Sequence, residues 1–152
     1  MLKSFLERLK GDTAASQPEF LNESDARTAV AALLVHAAHV DDDYTDVERD
    51  LIGSILAHIY KLRSDEALSL REEGEKAEEE CVDTYRFTQL IKTSLPESDR
   101  LVVLEGLWSV ILSDETRDPN EDALVRKLVE MMGLDPISSA HARQRVEAAM
   151  KG

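Results

Sequence analysis

Apolar residues recur along this chain at intervals of three and four almost throughout, and no stretch alternates as a strand would. Leu2, Phe5, Leu6 and Leu9 mark a short helix among Lys3, Arg8 and Lys10; Gly11 ends it, and residues 12–18 read as a linker. Ser24 is placed to cap a helix over residues 24–40 that is apolar nearly all round, from Ala29 to Ala38, which suits a central position. The next helix, residues 46–61, is amphipathic through Leu51, Ile52, Ile55, Leu56 and Ile59. Ser64 is expected to cap a helix reaching Val82, and Asp83 to begin one that carries Tyr85, Phe87, Leu90, Ile91 and Leu95. After Pro96, Glu97 or Ser98 opens another helix that is apolar on most sides, from Leu101 to Leu112. An acidic loop follows, then an amphipathic helix with Leu124, Val125, Leu128, Val129 and Met132 and with Gly133 as its C-cap. Ser138 or Ser139 starts the last helix, to Met150. The pattern predicts an all-α fold in which residues 24–40 and 97–113 are the most buried helices and lie side by side.

The two halves repeat. At an offset of 73 residues, Leu51, Ile52, Ile55, Leu56 and Ile59 fall on Leu124, Val125, Leu128, Val129 and Met132. Asp41 falls on Asp114 and Glu48 on Glu121, so each half reads as a buried helix, an acidic Asp-x6-Glu loop and an amphipathic helix. Loop acids and helices agreeing in one register point to a duplicated helix–loop–helix around a common core. Residues 1–18 form a separate helix and linker; residues 19–152 form the domain.

Charge narrows the function. Eighteen Lys and Arg against 31 Asp and Glu leave −13 over 152 residues, which argues against a nucleic-acid backbone as partner. The length suits one domain able to bury its own core. Cys81 is the one cysteine, so no internal disulfide framework or cysteine zinc site exists, and its acidic neighbours Glu78, Glu79, Glu80 and Asp83 disfavour a reactive thiolate. The longest apolar run, residues 29–35, is far short of the roughly 20 residues a membrane-spanning helix needs. The first ten residues lack a signal-peptide core, and a reduced, cytoplasmic setting is the expectation.

The acidic loops carry the best candidate chemistry. The first runs Asp41-Asp42-Asp43-Tyr44-Thr45-Asp46-Val47-Glu48, the second Asp114-Glu115-Thr116-Arg117-Asp118-Pro119-Asn120-Glu121. Clustered carboxylates suit a hard divalent cation such as Ca²⁺, Mg²⁺ or Mn²⁺. The competing reading is capping: Thr45 with Glu48 forms a capping box, and Asp118-Pro119 with Glu121 supplies an N-cap, a first-position proline and a third-position glutamate. Neither loop is an EF-hand. With Asp41 as the first position, the sixth is Asp46 where Gly is required and the twelfth is Ile52 where Glu is required.

Other candidates are weaker. His36 and His39, three residues apart, can share one helical side, and a packing role competes with a metal one. Their counterparts in the second half are Ser109 and Leu112, and His58 and His141 have no evident partner. Nine acids between Asp65 and Asp83 read as a solvated helix face, or as a docking surface for a basic protein partner. Trp108, on an all-round apolar helix, reads as core. No Walker A, G-x-G-x-x-G or G-x-S-x-G motif and no nucleophile constellation is present, so no catalytic residue is named.

The apolar helix before Asp41, the Asp-x6-Glu loop, the segment 83–95 and the repeat at Asp114 and Glu121 together resemble the tellurite-resistance TerB family, over residues 24–151. Family members typically show Asp-Gly in both loops; here Asp42 and Glu115 stand at the Gly positions. The resemblance implies a compact all-helical domain tied to bacterial stress responses, with acidic residues proposed to hold metal and no characterised catalysis. The leading expectation is therefore a divalent metal held by Asp41, Glu48, Asp114 and Glu121. The alternative is a metal-independent module that docks a basic partner. A hydrolase using metal-activated water ranks last, because no general base can be named. The N-terminal helix can dock on the domain, bind a partner or touch an anionic membrane surface, to which one short helix binds weakly.

Overall fold

Helix starts and stops follow the cap chemistry residue by residue in the computed structural model, which describes residues 23–41, 44–81, 83–113 and 119–151. The helices are α1 (Glu23–Ala38), α2 (Asp46–Tyr60), α3 (Ser64–Glu80), α4 (Tyr85–Ser94), α5 (Glu97–Leu112), α6 (Pro119–Met131) and α7 (Pro136–Lys151), with a 3₁₀ turn, His39–Asp41, after α1. The described residues contain no strand. The fold is all-α.

Several boundaries move from the sequence expectation. Ser24 falls inside α1, and the stretch expected as one helix to residue 40 tightens into the 3₁₀ turn after Ala38. Ser64 is the first residue of α3 and not its cap; Arg63 holds the cap position and donates its backbone N–H to Glu66 Oε1 at 2.9 Å. Asp83 precedes α4 and accepts the Tyr85 N–H at 2.9 Å. The last helix begins two residues before Ser138, because Asp135 Oδ1 accepts the Ser138 N–H at 2.7 Å and Pro136 suits the first helical position. Gly133 ends the sixth helix as expected. Its φ of 73° lets its N–H reach Glu130 O at 3.0 Å and the Leu134 N–H reach Val129 O at 2.9 Å.

The core forms around α1. Ala29 to Val35, with Ala37 and Ala38, are buried, as are Val103, Leu104, Leu107, Trp108, Val110 and Ile111 on α5. These two helices pack on each other, as their all-round apolar pattern requires. Helix α3 runs closest to α1, where Gly74 lies against Ala31: a Cβ at position 74 would sit 2.5 Å from the Ala31 Cβ and 2.7 Å from its carbonyl carbon. Trp108 is core as expected, and its ring N–H donates to Ser139 Oγ at 3.1 Å, tying α5 to α7. Arg100 Nη1 donates to Met132 O at 2.6 Å, placing a cation at the carbonyl end of α6. Among the described residues no helix is long and apolar enough to cross a membrane.

Candidate functional site

The first helix–loop–helix unit turns between α1 and α2, at one end of the bundle. The 3₁₀ turn that closes α1 packs against α6, so the first acidic loop meets the helix that follows the second. The equivalent glutamates share a fate: Glu48 is 9% exposed and Glu121 is 5% exposed, each in the first turn of its helix. Buried carboxylates need compensation, which helix N-termini partly supply. For Glu48 the capping box is present. Its Oε1 accepts the Thr45 N–H at 2.9 Å and the Thr45 hydroxyl at 3.2 Å, while Thr45 Oγ1 accepts the Glu48 N–H at 3.1 Å. Both bonds from Thr45 fall on the same carboxylate oxygen. Asp41 closes the 3₁₀ turn, and its carboxylate lies outside the described residues, as do Asp114 and the expected cap Asp118. Among the described residues, no three His, Cys, Asp or Glu side chains converge in a way that could hold a metal ion.

A polar cluster that the sequence reading passed over anchors this end. The Tyr44 hydroxyl donates to Glu75 Oε2 at 2.6 Å, the Arg49 guanidinium covers the Tyr44 ring at 4.6 Å, and His39 meets that ring edge-on at 4.8 Å. Arg71 Nε lies 3.3 Å from Glu75 Oε2, and Arg71 Nη1 donates to Arg49 O at 3.3 Å. Burial, and then the hydrogen bond to Glu75, push the Tyr44 hydroxyl well above its ordinary pKa, so it remains a donor. Tyr44 thus holds the loop onto α3.

His36 and His39 both turn to Glu78. Their Nδ1 atoms lie 3.5 and 3.1 Å from its two carboxylate oxygens. The His36 hydrogen bond, with further help from the charge and hydrogen bond of His39, holds the Glu78 carboxyl below its usual range against the opposing effect of burial. The acidic run on α3 is therefore only partly a solvated face. Glu75 and Glu78 face α1 and the first loop, and Glu73 Oε2 accepts the Thr28 hydroxyl at 3.3 Å. The signal was present in the spacing: Arg71, Glu75 and Glu78 stand at i, i+4 and i+7, one helical stripe.

A family model described as Tellurite resistance protein TerB matches residues 27–144. The chain belongs to the TerB family. No curated protein and no solved structure matches it at a significant level. In this TerB chain the matched stretch takes in both acidic loops, Glu48, Glu121 and the His36–Glu78–His39 contact, and it leaves residues 1–26 and 145–152 outside.

Proposed function

We propose that this TerB chain is a tellurite-resistance-related, stress-response domain that binds a hard divalent cation, Ca²⁺, Mg²⁺ or Mn²⁺, at its acidic loops, through Asp41, Glu48, Asp114 and Glu121. The observation that carries the reading is the paired burial of Glu48 and Glu121 at repeat-related positions, at the end where the 3₁₀ turn touches α6. All-oxygen donors on short loops match the preference of these ions, and thiolate or imidazole ligands are not needed. Capping explains one oxygen of Glu48, and the other is the one a cation would use.

The test is a thermal melt with and without each ion, on protein freed of metal by chelation. Binding to the folded state raises the midpoint, by an amount equivalent to roughly 2.7 kcal/mol at a hundredfold excess over the dissociation constant. If millimolar Ca²⁺, Mg²⁺ and Mn²⁺ all leave the curve unmoved, the two glutamates are helix caps only. The second reading, a metal-independent module for a basic partner, would then draw on the exposed Glu72, Glu79 and Glu80 of α3.

A further inference from the structure

At the end of the bundle away from the acidic loops, a cavity of about 310 Å³ opens between the start of α1, the end of α2 and the start of α5. Ile59, Leu95, Val102 and Val103 give it an apolar lining, and Arg27, Lys61 and Asp99 give it polar edges. Arg27 lies over the Tyr60 ring at 4.6 Å and so forms a fixed wall. Val102 is 39% exposed on α5, an apolar side chain facing outward at the mouth.

We propose that this cavity receives the chain's own N-terminal segment, with Phe5 and Leu6 as the anchoring side chains. Three observations choose that occupant. First, the described chain starts at Glu23, one helical turn before Ala26 and Arg27, so residues 1–22 enter the fold beside the cavity. The 13 residues from Lys10 to Asn22 can span up to roughly 40 Å, long enough for Phe5 and Leu6 to reach the cavity. Second, Leu2, Phe5, Leu6 and Leu9 form one stripe at i, i+3, i+4 and i+7, the anchor spacing of a helix laid in an apolar groove. The cavity is at the small end of what ligand pockets offer, enough for one or two large side chains and not for the whole stripe. Third, residues 1–18 carry three basic groups against two acidic, whereas the rest of the chain carries 15 against 29. Lys3 and Arg8 flank the anchors, and Asp99 stands at the cavity edge to meet one of them. The inference is independent of the metal reading, whose site lies at the other end of α1.

The test uses the full chain with Cys81→Ser and Ser4→Cys, a nitroxide on the new thiol, and amide NMR of ¹⁵N-labelled protein diluted into unlabelled, spin-free protein. The amides of Ile59, Leu95 and Val102 should lose more than half their intensity, while that of Tyr44 should not. Adding Phe5→Glu and Leu6→Glu should restore them, and Val102→Glu, at an exposed position that tolerates charge, should do the same with a cooperative melt retained. Full-intensity groove amides in the parent would overturn the proposal, whether or not the segment then binds phosphatidylglycerol vesicles. Attenuation that vanishes on dilution with spin-free protein would also overturn it, since the occupant would then be a second copy.

Discussion

The hydroxyl of Tyr44 donates a 2.6 Å hydrogen bond to Glu75 Oε2, joining the first acidic loop to the middle of α3. A bond to a charged acceptor in a half-buried setting contributes more than a neutral one, about 1.5–3 kcal/mol. Tyr44→Phe keeps the ring against His39 and Arg49 and removes only the donor. Glu75 retains Arg71 as an ion-pair partner, which places the expected loss near the lower limit, about 1.5 kcal/mol by urea unfolding with an unchanged m-value. No loss would mean that Arg71 and Arg49 hold Glu75 without the hydroxyl.

Two glycines in neighbouring helices should respond in opposite directions to one substitution. A methyl at Gly74 would press on the backbone of Ala31 and Ala32, which cannot yield without moving α1, whereas at Gly53 nothing lies within 4 Å. Alanine is the better helix former by about 1 kcal/mol. Gly53→Ala should therefore stabilise by up to that amount, raising the melting midpoint by roughly 2–4 °C. Gly74→Ala should destabilise by about 2 kcal/mol, the overpacking cost minus the propensity gain. Two rises in the midpoint would mean that α1 and α3 do not cross this closely.

Most of this architecture was legible in the sequence, because the apolar periodicity of α1 and α5 admits only a central position for each. The 73-residue repeat also located Glu48 and Glu121, which prove equivalent in burial. What the sequence did not expose was direction. A stripe of charge on α3 looks the same whether it faces water or a neighbour, and only the close crossing at Gly74 turns Glu75 and Glu78 toward Tyr44, His36 and His39. Caps shifted for a similar reason. Asp135, ahead of Pro136, competes with Ser138 to start α7, and a proline at the first helical turn decides between them.

The Glu78 contact makes part of the stability pH-dependent. Its folded pKa lies below the ordinary 4.5, so the carboxylate form stabilises the fold above that value. The contribution is fully present above about pH 4.5 and is lost as the pH falls through the folded value. Glu78→Gln removes the linkage. Plotted as wild type minus variant, unfolding free energy should decline as the pH falls below about 4.5. A difference that instead grows below about pH 4.5 would show that the folded state does not favour the charged carboxylate.

Thr45 and Glu48 allow capping to be separated from cation binding, because each can be altered without the other. Thr45→Ala removes the side-chain acceptor for the Glu48 N–H but leaves every carboxylate in place. It should cost about 1 kcal/mol, the usual value for an N-cap, and leave any ion-induced rise in the melting midpoint intact. Glu48→Gln does the reverse. A glutamine oxygen can still accept the Thr45 N–H and hydroxyl, so the box closes and the loss should stay within about 1 kcal/mol, the scale of a charge at a helix N-terminus. What glutamine cannot supply is the carboxylate charge, and the rise given by Ca²⁺, Mg²⁺ or Mn²⁺ should shrink or vanish. Glu121→Gln, at the repeat-related position, should act in the same way if both loops hold one cation. Should Glu48→Gln and Glu121→Gln keep the full ion response while Thr45→Ala weakens it, the ion binds elsewhere and the response reports only on the order of the first loop.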